Sequence, residues 1–367
     1  MELRFFPTSG LSGQDQFQPS VRGELEYSES SDDNSFEVVV FGRADKEDSE
    51  RSHVDLREAA WTHVGDSFEL KAGVSKVFWG VTESRHLVDV INQSDIVENV
   101  DGEDKLGQLM TKVSFERDWG TLDLFWLPYF RERTFPGIDG RLGAPLPVQV
   151  DDAQYQSGAK RWHSDAAIRY SHYIDDLEFA ISHFSGTSRE PILIPGMSAG
   201  APVLTPLYTT VDQTGLEVQY LWEEWIFKLE GISNSGMTDR YSAAVAGFEY
   251  TQVGIFDSNA DLGWIAEYLF DDRKDYAPHS FERDIFVAWR YAFNDADSSE
   301  ILGGMIYDPK THEKVLSIEV SQRIASDLKL NIEGRVFENG RLPAQANDKN
   351  WFLEDEDYIQ LELVKYF

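Results

Sequence analysis

The sequence predicts an all-β protein, a single antiparallel sheet closed on itself as a transmembrane β-barrel, and three observations predict it. Apolar and polar residues alternate with a period of two along most of the chain, the period of a strand and not of a helix. The connections between these alternating rows sort into short and long sets at opposite ends of an up-and-down path. The chain closes on YIQLELVKYF, where Ile359, Leu361, Leu363 and Phe367 share one side of a strand and Gln360, Glu362 and Tyr366 the other. One side of that strand suits hydrocarbon and the other suits water.

In chain order, about eighteen rows qualify, with sixteen as the fallback count; they are centred on residues 4, 23, 39, 57, 73, 113, 125, 169, 181, 215, 229, 246, 266, 287, 303, 318, 332 and 362. In the fifth row Phe68, Leu70, Ala72 and Val74 oppose Glu69, Lys71 and Ser75. In the tenth, Leu216, Val218, Tyr220 and Trp222 alternate with Glu217 and Gln219, and a glycine-free turn leads to Trp225, Phe227 and Leu229. Near the end, Leu316, Ile318 and Val320 alternate with Ser317, Glu319 and Ser321, then Leu328, Leu330 and Ile332 with Lys329, Asn331 and Glu333. With the first strand rising, the long upper connections are 80–107, 131–163, 187–207 and 339–355, while DWG, IDD and ASD mark short lower turns. An even strand number returns both termini to the short-turn end. The expected organisation is a single barrel domain, 1–367.

Composition agrees. Aromatics at 13% and hydrophobics at 41% supply enough apolar surface to fold. There is no cysteine, so disulfides and thiolate metal sites are excluded. The 65 acidic against 33 basic residues repel a polyanion, so nucleic acid is not a partner. No run approaches the roughly 18 apolar residues of a membrane helix. MELRFFP at the amino terminus has neither a basic nor an apolar leader region, and the reading is of a mature chain whose signal peptide is absent from this sequence.

By these features the chain resembles the Gram-negative outer-membrane porin class, in particular eighteen-stranded channels, and LELVKYF is similar to the terminal strand read by the barrel-assembly machinery. Lys365 stands where that class usually has an apolar or aromatic residue. The stretch KVFWGVTESRHLVDVINQSD, residues 76–95, is also similar to a proteobacterial outer-membrane family, a likeness that brings no activity with it. The resemblance implies a location in the bacterial outer membrane, contact with its lipid and lipopolysaccharide, possible homo-oligomers, an upper connection 80–107 folded inward as a constriction, and passive diffusion of small hydrophilic solutes without a cofactor.

Candidate pore residues follow from charge. The 80–107 connection carries Glu83, Asp89, Asp95, Glu98, Asp101, Glu103 and Asp104, and the polar rows of the wall supply Arg22, Arg43, Arg57, Arg169, Arg290, Arg323 and Arg335. An acidic loop facing a basic wall sets up a transverse field that orients dipolar solutes, or else the same charges pair off and plug the barrel as a scaffold for export or assembly. An alternative of another class is a lipid-active enzyme. His183 and Ser185 lie two apart, on the apolar side of their row, and the outer-membrane phospholipase A family places a base and a nucleophile in that arrangement. GMSAG at 196–200 has the spacing of a nucleophile elbow but lies in a loop between strands, where the required helix is missing. The eight histidines form no metal-ligand motif, so no metal is expected.

Overall fold

The computed structural model describes residues 1–11, 13–236, 239–277, 279, 281–338 and 351–367. Its strands are β1 (Glu2–Phe5), β2 (Phe17–Ser31), β3 (Asn34–Asp45), β4 (His53–Val64), β5 (Glu69–Ser75), β6 (Gln108–Arg117), β7 (Gly120–Leu127), β8 (Gln154–Tyr155), β9 (Asp165–Ile174) and β10 (Leu177–Thr187). There follow β11 (Ile192–Ser198), β12 (Ala201–Tyr208), β13 (Thr210–Trp222), β14 (Trp225–Ser235), β15 (Tyr241–Gln252), β16 (Asp261–Asp271), β17 (Ile285–Ala292), β18 (Glu300–Tyr307), β19 (Lys314–Ala325), β20 (Leu328–Glu338) and β21 (Tyr358–Lys365). Eighteen of them form one antiparallel sheet in which each strand pairs with its neighbours in sequence. The sheet closes where β1 pairs with both β2 and β21, Leu3 lying between Pro19 and Leu361. Each of the eighteen expected centres falls within one of these strands.

The outer surface explains the alternation. Ile181, Leu216, Phe227, Trp264, Val287, Ile318, Ile359 and Leu361 are all exposed, although each is large and apolar. A belt of this kind is stable only against hydrocarbon. The inward rows carry the buried polar set, among them Arg43, Glu217, Glu230, Glu267 and Glu362. β4 departs from strict alternation. Its register against β3 slips between Val39 and Val40, so that Leu56 and Glu58 have partners and Arg57 between them does not. The bulge turns both Arg57 and Glu58 inward, and both are buried.

Lower turns are tight. The two-residue turns after β9 and β13 place Asp175 and Glu223 at positive φ, 52° and 53°, the backbone twist that a two-residue hairpin requires. At the upper end, the connections 128–164 and 188–209 build a second sheet in which β12 pairs antiparallel with β11 and parallel with β8. GMSAG lies on this β11–β12 hairpin, with Ser198 paired to Ala201 and no helix behind it. Of the expected upper connection 339–355, residues 339–350 lie outside the described residues.

Candidate functional site: the segment between β5 and β6

The connection 76–107 is closed on itself at its base. Asn92 is buried and donates from Nδ2 to the carbonyls of Ser75 and Leu106, both at 2.9 Å, while its Oδ1 accepts from the Val77 amide at 2.8 Å. Beyond this base the chain reaches away from β5. Gly80 has φ +143°, and a β-carbon there would come within 2.9 Å of Glu230 Oε1. Glycine is what lets the backbone pass so close to the β14 wall.

Two wall carboxylates then seize the backbone. Glu230 Oε1 accepts from the amides of Val81 and Thr82 and from the Thr82 hydroxyl, at 2.7, 3.0 and 2.7 Å. Glu267 on β16 accepts from the amides of Glu83 and Ser84 at 2.8 Å each and from the Ser84 hydroxyl at 2.5 Å. The segment turns back, and Trp79, Val88 and Ile91 pack with Met110, Phe125 and Phe184 of β6, β7 and β10. It next meets the opposite wall: Asp95 with Arg57 of β4 at 2.5 Å, and Glu98 with Arg43 of β3 at 2.6 Å. The buried Arg51 donates to the Val97 carbonyl at 2.7 Å, and Arg4 of β1 to the Glu98 carbonyl at 2.6 Å. β4 and β16 lie on opposite sides of the ring, so a segment bonded to both runs through the lumen.

The structure brings together only part of the predicted charge set. Glu83 meets Arg290 at 2.7 Å and Asp101 meets Arg335 at 2.7 Å, which with Asp95–Arg57 and Glu98–Arg43 makes four contacts between loop acid and wall arginine. Asp89 and Glu103 face cations of their own segment, Lys105 at 3.1 Å and His86 at 3.5 Å. Asp104 has no cation within 4 Å among the described residues. Arg22 and Arg169 pair with wall carboxylates, Glu362 at 2.6 Å and Glu217 at 2.9 Å, and Arg323 is exposed near the lower end of β19. Sequence reasoning missed Arg51 as an interior cation and Glu230 and Glu267 as backbone anchors. The first sits in a short connection, where alternation carries no signal, and the partners of the other two are main-chain amides that no side-chain pattern reveals.

The segment's ionisable groups respond to these surroundings. Burial works against the Asp95 carboxylate, but His53, Arg57 and Thr134 outweigh it and hold the group well below the usual range. Burial, together with Glu98 and Asp101, pushes Asp104 up to about 6. Burial also disfavours charge on His86, yet Glu103 and Glu230 overcome it and raise the imidazole to about 10. His53, Asp95 and Glu98 come close enough to suggest a metal site, with His53 Nε2 3.5 Å from Asp95 and 4.0 Å from Glu98. Both carboxylates are already engaged by arginines, whose positive charge opposes a cation there.

Elsewhere, His183 and Ser185 face outward and are exposed, and among the described residues no hydrogen bond joins them. His183 Nδ1 lies 2.9 Å from Thr214 Oγ1, and Ser185 stands across the strand pair from Asp212. Beside the lumen segment lies a cavity of about 650 Å³, bounded by residues 83–105 on one side and by the walls of β13–β20 on the other. A second, apolar recess of about 660 Å³ opens at the seam of β1, β2 and β21, lined by Leu3, Val21, Leu361 and Leu363.

Comparison with solved structures bears on the fold. A BenF-like porin from Pseudomonas fluorescens Pf-5 superposes with a TM-score of 0.56 at 11% identity, over 100% of this chain and 95% of that one. The fold is that of an outer-membrane β-barrel. Wzi, an outer-membrane protein involved in group 1 capsule assembly in Escherichia coli and described as a carbohydrate-binding β-barrel, gives 0.56 at 10% identity over 100% of this chain and 83% of its own. OccD3 (OpdP) of Pseudomonas aeruginosa gives 0.50 at 10% identity, covering 100% and 90%. No family model matches the sequence, and no curated protein matches it. At these identities the likeness is one of fold, a large closed β-barrel shared with bacterial outer-membrane proteins.

Proposed function

We propose that the barrel is a channel for passive, selective diffusion of small hydrophilic solutes, narrowed by the segment 80–107. The observation that carries this reading is the cavity of about 650 Å³ left beside that segment: the lumen is crossed by chain but retains solvent-sized space along the β13–β20 wall. The segment is pinned on opposite sides of the ring, which favours a fixed narrowing over a moving lid, and the mixed charge around it favours polar solutes over apolar ones. Lipid and lipopolysaccharide surround the outer belt in this reading.

Planar-bilayer recording tests the proposal. Purified protein should give stepwise conductance, and Glu230→Gln, which weakens the anchor at Val81 and Thr82, should raise current noise while heat-modifiable mobility is kept. A flat current from barrels that retain that mobility would replace the channel with a plugged scaffold.

A further inference from the structure

Charges lining the cavity are mostly spent on one another. Glu83 faces Arg290, Asp89 faces Lys105, Asp101 faces Arg335 and Asp271 faces Arg273, each pair within 3.1 Å. Arg85, Arg133 and Glu190 line the same cavity, and among the described residues none of the three has an opposite charge within 4 Å. Arg85 donates from Nη1 toward His279 Nε2 at 2.7 Å, and Arg133 donates from Nε to Gln93 Oε1 at 3.3 Å. Each guanidinium has five N–H groups, so most of this donor capacity is open to the cavity. The trio carries a surplus of one positive charge. Its members sense each other without touching: burial lowers the proton affinity of Arg133, Glu190 raises it and Arg85 lowers it to a lesser degree, while Arg85 and Arg133 are among the cations that keep Glu190 ionised against its burial.

The other side of the cavity is apolar. Phe281, Phe286, Leu302, Ile306, Val315 and Phe337 line it. Phe281, Leu302 and Ile306 rest on a buried cluster that includes Val245, Ile265 and Leu269, so this wall is firmly backed. The Arg85 guanidinium stands 5.9 Å from the centre of the Phe281 ring, which joins the basic corner to the apolar wall. Passage of water alone explains neither uncompensated arginines nor phenylalanines turned toward a lumen, whereas one small molecule with an acid group and a hydrocarbon body satisfies both. A volume of about 650 Å³ falls within the common range for small-molecule sites.

We propose that this cavity is a binding subsite for a small monoanion with an apolar body, its acid group held between Arg85 and Arg133 and its body laid against Phe281, Phe286 and Leu302. Glu190 sets the charge preference, because a second negative charge on the ligand would meet its carboxylate. The subsite names the solute class of the proposed channel and rests on that reading for its biological use, but binding is measured independently of conductance.

The probe is hexanoate, titrated by calorimetry into detergent-purified protein, with acetate, hexylammonium and glutarate as comparisons. Hexanoate is expected to bind, hexylammonium and glutarate to bind more weakly, and affinity to rise about fourfold per methylene from acetate upward, as about 0.8 kcal/mol per buried CH₂ requires. Arg85→Gln with Arg133→Gln should weaken hexanoate by about tenfold or more, the loss of charge-assisted hydrogen bonds, and Leu302→Asn should flatten the chain-length dependence. Heat-modifiable mobility shows that each variant is folded. Equal binding of hexanoate and hexylammonium, no effect of chain length, or unchanged affinity in the folded double variant would overturn the subsite. Conducting channels without hexanoate binding sink the subsite and leave the channel standing; binding without conductance does the reverse.

Discussion

Single residues decide how the lumen segment is held, and Glu230 shows it most clearly. One of its carboxylate oxygens takes two amides and a hydroxyl of the segment. Such bonds to a charged acceptor contribute about 1.5 to 3 kcal/mol each, and leaving buried amides unmatched costs comparably. Glu230→Ala should therefore release residues 80–84 while the barrel stays closed, read out as new protease cleavage within 80–107 at unchanged heat-modifiable mobility; a segment as resistant as before would show that the anchor is dispensable. Asp104 adds a pH dependence. Its folded-state pKa, about 6, lies above the ordinary aspartate value, so the folded chain holds this proton more tightly than the unfolded one. The group costs no stability while both states are protonated, below about pH 4, and the cost is complete above its folded pKa. Raising the pH from 5 to 7 adds one negative charge to the segment, so cation preference measured by reversal potential should increase, and Asp104→Asn should remove that increase. His86 also has a raised folded pKa, about 10, so its stabilisation is fully present below its unfolded pKa and is lost as pH rises through the folded one; in the folded chain its imidazole stays protonated from pH 5 to 7 and adds nothing to the charge change measured there.

At the scale of elements, strands were readable and connections were not, for a physical reason. A wall strand meets hydrocarbon on one side and water on the other, so each residue reports its direction: Leu316 and Ile318 outward, Ser317 and Glu319 inward. Even the bulge in β4 leaves a mark, because the outward residues Val54 and Leu56 are followed by Ala59 and Trp61, a slip of one position. Partner choice inside the lumen has no such period. The acidic character of 80–107 is evident in sequence, but that Glu98 lies against Arg43 while Arg169 pairs with Glu217 is a matter of three-dimensional placement that no sequence period encodes. Arg133, Arg189 and Glu190 sit in long upper connections and share no signal that would draw them to one cavity. The buried Arg43, bonded to Glu2 and Glu98, tests how far segment and wall form one unit. Arg43→Ala leaves two buried carboxylates short of a partner and should cost about 3 to 5 kcal/mol. Arg43→Leu with Glu98→Leu should recover much of it, since replacing a buried pair by apolar groups is often nearly neutral. Thermal unfolding in detergent, followed by loss of heat-modifiable mobility, checks both; equal losses in the two variants would mean that the pair is not coupled.

The molecule as a whole is organised around two solvents, and this settles which surface tolerates charge. A water-soluble β protein turns its apolar side chains inward, whereas here the inward side holds Arg43, Glu217, Glu230 and Glu267 buried and the outward side exposes Trp264, Val287 and Ile318. With a net charge of −32 the chain has no shortage of groups able to solvate a surface, yet they are kept off the belt. Ile318, near the middle of β19, gives the sharpest test, because its partners on both sides are glycines, Gly303 and Gly334, and a substitution there loses little side-chain packing. A lysine at this depth must carry its ammonium into hydrocarbon, so Ile318→Lys should destabilise the barrel by roughly 2 to 4 kcal/mol. Ser321→Lys, three residues along the same strand but on the inward row, arrives opposite Glu300 and Asn331 and should be tolerated. Refolding equilibria of the two variants in lipid vesicles separate the alternatives. A barrel in a membrane loses stability only at Ile318, while a soluble sandwich with β19 on its surface would accept both lysines alike. The contrast depends on the direction of two side chains on one strand, and each direction follows from whether that side of the wall meets hydrocarbon or water.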